Sequence, residues 1–195
     1  MDAASERTAE ELAWIHNIGK GDKGALRLLY ARYSGRIYRF VIRMINDEAK
    51  AEEVVNDVMM EVWKSAATFE GRSSPSTWIL GIARFRTLNA VRGKKLDTVA
   101  LDQAPEQEDQ DQDASNEKSR EQLKGLLRRA VNRLSTEHRE VVELTFFHGY
   151  SYPEIATILQ CPENTVKTRM FHARAKLKPW LQNMGLSVAD AGGVT

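Results

Sequence analysis

An acidic strip at residues 96–117 is the feature that most restricts how this chain can fold. The strip holds eight acidic and no basic residues, and beyond Leu101 it has no apolar residue larger than alanine. Such a segment cannot bury enough apolar surface to offset the entropy lost on ordering. We therefore expect a flexible linker here, joining two small helical domains at residues 1–95 and 118–184, with a flexible tail at residues 185–195.

The net charge of +1 conceals a segregation of charge along the chain. The block 1–95 carries 16 Lys and Arg against 12 Asp and Glu, and the block 118–195 carries 12 against 7. A basic excess on each side of an acidic strip indicates anionic partners. No run approaches the roughly 18 apolar residues of a membrane span. The polar N-terminus lacks a secretion signal and Cys161 is the single cysteine, so we expect a cytoplasmic protein.

Apolar residues before the strip recur at the three- and four-residue spacing of helices. A short helix near residues 10–17 is expected first. Asp22 can cap a second helix that runs to about Ile45. The apolar face of this helix is predicted to be buried and consists of Leu26, Leu29, Tyr30, Tyr33, Ile37, Val41 and Met44.

Two further helices complete the N-terminal block. Asn46 or Asp47 can start a third helix, and Ser74, with Pro75 at the first helical position, can start a fourth that ends near Gly93. The third helix is expected to bury Ala51, Val54, Val55, Val58, Val62 and Trp63. Its outer face is left with Glu52, Glu53, Asn56, Asp57, Met60 and Glu61. No run shows sustained apolar and polar alternation, so the prediction is an all-α protein without a sheet.

Beyond the strip, the first predicted helices cover residues 119–133 and 136–148. Ser135 can cap the second of them, and Gly149 can end it.

The last two predicted helices are separated by a tight turn. Ser151 and Glu154 have the spacing of a capping box and open a short helix that ends near Leu159. Pro162 can occupy the first turn of a final helix that continues to about Leu181. The facing apolar residues are Ile155, Ala156, Leu159, Val166 and Met170. The final helix carries the bases Lys167, Arg169, Arg174, Lys176 and Lys178.

This layout predicts a helix-turn-helix whose second helix enters the major groove of DNA. The alternative is a plain helical hairpin with a basic outer face. The turn lacks the glycine that such a turn usually contains.

A second basic surface lies on the fourth helix. From Gly71 to Leu96 the chain has no acidic residue and carries Arg72, Arg84, Arg86, Arg92, Lys94 and Lys95. Trp78 and Phe85 lie between these bases, and a mixture of cations and rings binds single-stranded nucleic acid. The alternative is a solvated basic face with Trp78 in the core.

The sequence offers no local catalytic or metal-binding pattern. The four histidines His16, His138, His148 and His172 lack a second ligand at helical spacing, and no glycine-rich phosphate loop follows a strand. A triad can still be assembled in space. We expect a protein that is not an enzyme and has no catalytic residue, no metal, no cofactor and no small-molecule substrate.

Four segments, in this order and spacing, resemble the extracytoplasmic-function (ECF) subgroup of bacterial RNA polymerase sigma factors. The resemblance covers residues from about Glu10 to Leu181. The first segment, 51–63, begins with Ala-Glu-Glu-Val-Val-Asn-Asp-Val, and the second, 69–84, contains Phe-Glu-Gly-Arg-Ser and Thr-Trp-Ile. The third segment, 134–141, begins with Leu-Ser, and the fourth, 152–174, contains Thr-Val-Lys-Thr-Arg and Ala-Arg.

The resemblance implies three sets of functional residues. Those implied to bind core polymerase are Glu53, Asn56, Asp57 and Glu61. Those implied to melt and read the −10 element are Phe69, Gly71, Arg72, Ser73, Trp78, Arg84, Phe85, Asn89 and Arg92. Those implied to bind the −35 element are Thr165, Lys167, Thr168, Arg169, Phe171, His172, Arg174 and Lys176.

Four positions depart from the family pattern. Phe85 replaces an Asn of the pocket for a flipped −10 base, so a changed base preference is expected there, and Asn89 replaces an Asp. Gln160 and Asn164 replace glycines of the −35 motif. Because Gln does not favour left-handed backbone, strain in the turn is predicted.

The implied function is promoter selection for RNA polymerase. Such a chain binds the beta and beta-prime subunits of core polymerase, recognises promoter DNA at both elements and directs transcription initiation. The polymerase supplies the chemistry, and the family is usually controlled by an anti-sigma factor. Two alternatives stay open at this point: a helix-turn-helix regulator that works without polymerase, and a sigma-mimic adaptor that binds an anti-sigma protein without using DNA.

Overall fold

The computed structural model describes residues 3–97 and 125–183. Within these ranges every regular element is helical and no strand is present, which confirms the all-α prediction. No helix in the described ranges is long and apolar enough to cross a membrane. The predicted tail at 185–195 and nearly all of the predicted linker lie outside the described residues.

Eight α-helices build the described part of the chain. The N-terminal domain holds α1 (Ala3–Gly19), α2 (Lys23–Ile45), α3 (Glu48–Ser65), a single 3-10 turn (Ala66–Thr68) and α4 (Pro75–Asp97). The C-terminal domain holds α5 (residues 125–132), α6 (Thr136–Val142), α7 (Tyr152–Leu159) and α8 (Glu163–Asn183).

The predicted caps of α2 and α3 are confirmed. An Asp22 carboxylate oxygen accepts hydrogen bonds from the backbone N–H groups of Gly24 and Ala25, at 2.7 and 3.2 Å. Asn46 ends α2 in the left-handed conformation, with φ of 54°. The Asp47 carboxylate then accepts from the Lys50 N–H at 3.1 Å and begins α3. These caps satisfy backbone donors that the first helical turn leaves free.

Most of the predicted core is confirmed, but on α2 Leu26 is only half-buried and Tyr30 is exposed. Tyr30 is 42 % exposed, whereas it was expected to be buried. Tyr30 lies about 100° around the helix from Leu29, at the edge of the buried stripe. Phe40, which the prediction left out, is fully buried because it follows Ile37 by three residues on the same face. On α3, the predicted apolar stripe is buried, except that Trp63 is half-buried.

Helix ends differ from the predictions at several positions. The first helix is much longer than residues 10–17, and α4 continues to Asp97, beyond the expected end near Gly93. Ser135 precedes α6, but its hydroxyl bonds the His138 ring instead of a backbone N–H. The helix α6 ends early and passes into a π-helical turn at Glu143–Phe147. Pro162 lies just before α8, where its carbonyl accepts the N–H of Thr165.

The two domains pack directly against each other. Helix α7 packs on α4, helix α6 contacts α2, and one continuous apolar core runs through both domains. The sequence predicted two domains joined by a linker, and it did not predict that they would share an interface.

Candidate nucleic-acid interface

Helices α7 and α8 form the predicted helix-turn-helix. Ile155, Ile158 and Leu159 of α7 are buried, as are Val166 and Met170 of α8. Between the helices, Gln160 adopts the left-handed conformation with φ of 51°, as the departure from glycine predicted. The Cys161 N–H closes the turn by donating to the Ala156 carbonyl at 3.1 Å. The paired apolar faces fix the orientation of α8 and leave its opposite face to solvent.

The outer face of α8 presents most of the predicted −35 residues. Phe171 is 69 % exposed. The Lys167 ammonium lies 2.7 Å from the Glu163 carboxylate, and both side chains are solvent-accessible. Thr165 and Arg169 are half-buried. The exposed members of the set are Lys167, Thr168, Phe171, His172, Arg174 and Lys176. A helix with a basic and aromatic outer face on this scaffold can lie in a major groove.

The predicted −10 residues include exposed members, half-buried members and one that the other domain covers. Phe69 and Trp78 stack with ring centroids 4.5 Å apart, and both pack against the core. Gly71 has φ of 69° and lets the loop before α4 turn. Phe85 follows Trp78 by seven residues, so it lies two turns further along the same helix face, and it is 61 % exposed.

Other members of the −10 set are open to solvent. Asn89 and Arg92 are exposed further along α4. Arg72 is exposed and its guanidinium pairs with the Glu70 carboxylate, while Ser73 is half-buried. These side chains can therefore meet a strand without rearrangement of the N-terminal domain.

Arg84 is the covered member of the −10 set. Its Nε donates to Glu140 Oε1 at 2.7 Å and its side chain is only 20 % exposed. Glu140 belongs to α6, in the other domain, and is 1 % exposed. Burial raises the pKa of the Glu140 carboxyl above its usual range, and the Arg84 guanidinium opposes part of that rise. In this arrangement a carboxylate occupies the position where Arg84 could meet a phosphate.

A second ion pair crosses the same interface. Arg43 of α2 lies 3.2 Å from a carboxylate oxygen of Glu143, which is 2 % exposed. Burial raises the pKa of the Glu143 carboxyl, and Arg43 opposes the rise. The Arg43 guanidinium also lies 3.7 Å from the centre of the Phe147 ring, within the range of a cation–π interaction. Both buried carboxylates therefore depend on arginines of the N-terminal domain.

Two further hydrogen bonds complete the interface, one from a charged guanidinium and one between hydroxyl groups. Arg36 donates to the His148 carbonyl, and the Tyr150 hydroxyl lies 3.0 Å from the Ser76 hydroxyl. Burial, and then the neighbouring guanidinium of Arg36, lowers the pKa of the His148 imidazole to about 4. The ring is therefore neutral near pH 7.

The predicted polymerase-binding residues lie on α3. Asn56 and Asp57 are exposed, and Glu53 is exposed while paired with Lys50 at 2.7 Å. Glu61 is half-buried and its carboxylate accepts a hydrogen bond from Arg86 of α4. Three of the four residues therefore form an accessible polar surface, whereas Glu61 links two helices of its own domain.

Sequence reasoning missed the residues of the interdomain interface, above all Glu140 and Glu143. A signal was present in the run Glu-Val-Val-Glu-Leu at 140–144. The apolar residues of that run place both acids beside the buried face of a helix, where an unpaired carboxylate is costly. The run therefore required a basic partner, but it did not identify Arg84 or Arg43 as that partner.

Comparison with known proteins identifies the class. Residues 29–96 match the family Sigma-70 region 2, and residues 124–177 match Sigma-70, region 4. The chain is 33 % identical to the ECF RNA polymerase sigma factor SigX of Bacillus subtilis, over 84 % of this chain and 87 % of SigX. The chain belongs to the ECF family of RNA polymerase sigma factors, which is not an enzyme family.

Two solved structures have a similar fold. One is the sigma factor RpoE in complex with the anti-sigma factor NepR from Bartonella quintana, with a TM-score of 0.63, 26 % identity, and coverage of 80 % of this chain and 96 % of RpoE. The other is CnrH in complex with the cytosolic domain of CnrY, with a TM-score of 0.67, 21 % identity, and coverage of 89 % and 98 %.

Proposed function

We propose that this chain binds the beta and beta-prime subunits of core RNA polymerase and directs transcription initiation at promoters with matching −10 and −35 elements. The N-terminal domain, residues 1–95, carries the polymerase contact and the −10 contact. The C-terminal domain, residues 118–184, carries the −35 contact. The polymerase supplies the catalysis, so the chain itself is not an enzyme, and it works in the cytoplasm beside the polymerase.

The observation that carries this proposal is the exposed outer face of α8. Lys167 and His172 are spaced five residues apart, and Thr168 lies about one turn from Phe171, so these side chains share a groove-facing arc. Lys167 can donate to guanine, and Phe171 can contact a thymine methyl group. Arg174 and Lys176, further along, are suited to phosphates.

The closed packing of the domains implies a conformational step. The centres of the two elements lie about 25 base pairs apart, which is roughly 85 Å at 3.4 Å per base pair. Arg84 and Glu140 are in direct contact, so the closed form cannot hold both elements at once. The 27 residues between the described parts can extend by at most about 3.3–3.6 Å each, which together is long enough to span this distance. Separation of the domains on the polymerase therefore exposes Arg84 to the −10 strand.

An anti-sigma factor is the proposed regulator. The similar RpoE structure is a complex with such a factor, NepR. A protein that holds the two domains of this chain together keeps Arg84 covered. The sigma-mimic alternative also binds an anti-sigma protein, but it does not require the exposed bases and aromatic ring on α8.

Transcription with purified core polymerase tests the proposal. The full chain, added to core polymerase and a library of promoter fragments, is expected to yield transcripts from a defined subset. A regulator independent of polymerase would bind DNA but give no such transcripts. A sigma mimic would neither bind promoter DNA nor give such transcripts. Mapping the start sites would reveal both promoter elements together.

A further inference from the structure

His138 and His172 lie side by side, although 34 residues separate them in the sequence. Their ring centroids are 6.2 Å apart and the ring planes meet at 53°. His138 belongs to α6 and His172 to the outer face of α8, so the pair connects α6 to the recognition helix. Glu137 and Arg169 pair across the same two helices at 3.5 Å. The beginning of α6 is therefore adjacent to the face that we assign to DNA.

The surroundings of the pair are predominantly basic. The charged groups that face His138 are Lys176, His172 and Arg169 from α8 and Glu137 from α6. The one acid among them, Glu137, is paired with Arg169. Burial, then Lys176, then His172 lower the pKa of His138. The free protein therefore holds His138 neutral near pH 7, within a cluster whose one acid, Glu137, is already paired with Arg169.

One nitrogen of His138 is already engaged. Its Nδ1 lies 2.8 Å from the Ser135 hydroxyl, which can either donate or accept. That contact persists in either protonation state and orients the ring. Nε2 is then the nitrogen available to an external acceptor.

We propose that His138, although it lies outside the recognition helix, is a phosphate-contacting residue of the −35 interface, and that it couples DNA binding to proton uptake. The inference rests on the proposed function of α8. A phosphate close to an imidazole favours its protonated form, so the DNA-bound state holds more protons than the free state. Affinity for the −35 duplex then rises as the pH falls.

The test measures binding of the full chain to a labelled duplex that contains its −35 element, between pH 5.8 and 8.0 at constant ionic strength. The wild-type affinity is expected to fall about three- to tenfold for each unit by which the pH rises. Uptake of one proton on binding corresponds to at most a tenfold change in affinity per pH unit. The variant His138→Gln is expected to lose most of this pH slope. His138→Lys, which keeps a positive charge, is expected to bind well at pH 8.0 with the same reduced slope.

One control variant and three further outcomes complete the test. His16→Gln alters a histidine on α1 and is expected to keep the wild-type slope. A slope that His138→Gln leaves unchanged, or a wild-type slope of zero, would overturn the inference. If the chain shows no preference for any −35 sequence at any pH, the proposed function of α8 fails instead. A purely structural role of His138 would shift stability without changing the pH slope.

Discussion

Arg84 of the N-terminal domain and Glu140 of the C-terminal domain form a buried ion pair, with Arg84 Nε 2.7 Å from Glu140 Oε1. Arg84 is one of the bases that the sequence assigned to promoter DNA. A carboxylate and a DNA phosphate offer the same kind of acceptor to a guanidinium. Under the proposed −10 contact of Arg84, the closed form and the DNA-binding form are therefore mutually exclusive at this residue.

The variant Glu140→Gln should favour separation of the domains. Removing one partner of a buried pair costs on the order of 3–5 kcal/mol while the other stays buried, and separation lets Arg84 return to water. Small-angle scattering should show a larger radius of gyration than for the wild type. The control Glu137→Gln removes an exposed acid of the same helix, whose partner Arg169 lies in the same domain, and should leave the radius unchanged.

A double variant makes the role of the charge explicit. Arg84→Leu combined with Glu140→Met should keep the domains together, because an apolar pair of similar volume replaces a buried ion pair at little cost. An equal radius for the wild type and Glu140→Gln would show that this pair does not hold the domains together.

Asp57→Arg should weaken binding to core polymerase without affecting the fold. Asp57 is exposed on α3, where burial does not explain an acid, so the substitution reverses charge on the proposed contact surface only. A pull-down with core polymerase measures the affinity, and thermal unfolding checks the fold. The matched control is Glu52→Arg, which lies about 140° around the same helix. Unchanged polymerase binding by Asp57→Arg, at wild-type stability, would assign the contact to another face.

Phe85→Asn should change the base preference at the −10 element more than the overall affinity. Phe85 is 61 % exposed on α4, and stacking of a base on such a ring contributes about 1–3 kcal/mol, which offsets the cost of extruding the base. Selection from a randomised −10 library measures the preference. Arg92 lies two turns further along the same helix, and Arg92→Ala should instead reduce affinity for all sequences. Identical selected sequences for the wild type and Phe85→Asn would place the base pocket elsewhere.

Lys167→Ala and Lys176→Ala should have different effects on −35 binding. Lys167 lies near the start of α8, the part of a recognition helix that contacts bases, so under the proposed function its loss should cost about 1–3 kcal/mol and relax the preference at one base pair. Lys176 should contact phosphate, so its loss should weaken all sequences alike and reduce the salt slope by about one. Titrations against a panel of −35 variants at several salt concentrations measure both effects. A uniform loss of affinity for Lys167→Ala would assign it to phosphate.

Gln160→Gly should stabilise the C-terminal domain by about 0.5–1 kcal/mol. Gln160 has φ of 51°, a conformation that is unfavourable for residues with a Cβ atom and free for glycine. Urea unfolding measures the change. Gly149→Ala supplies the opposite test, because Gly149 has φ of 72° and an added Cβ would meet no atom within 4 Å. Gly149→Ala should therefore destabilise the domain through the backbone alone. A loss of stability in Gln160→Gly would show that the turn at Gln160 is not strained.

The sequence by itself determined that the chain is helical and identified the caps of three helices. Asp22, Asp47 and Ser74 marked helix starts because a short polar side chain there satisfies free backbone donors, which is a local interaction. Apolar spacing identified the inner faces of α3, α7 and α8 for the same reason: the helix period alone decides which residues share a face. The bases of α8 were visible in the sequence directly, whereas Thr168, Phe171 and His172 were indicated by the family resemblance.

Only the tertiary structure decided which charged residues meet. Arg84 with Glu140, and Arg43 with Glu143, are separated by 56 and 100 residues, so no periodicity relates them. In the sequence, Arg84 was one of six bases between Gly71 and Leu96. A local pattern shows the charge of a residue and the helix that carries it, but not its partner in the folded protein. Packing of α6 and α7 against α2 and α4 covers Arg84 and leaves Phe85 in solvent, since adjacent helix positions point about 100° apart. Long-range packing, and not residue type, thus distinguishes the covered base from its exposed neighbours.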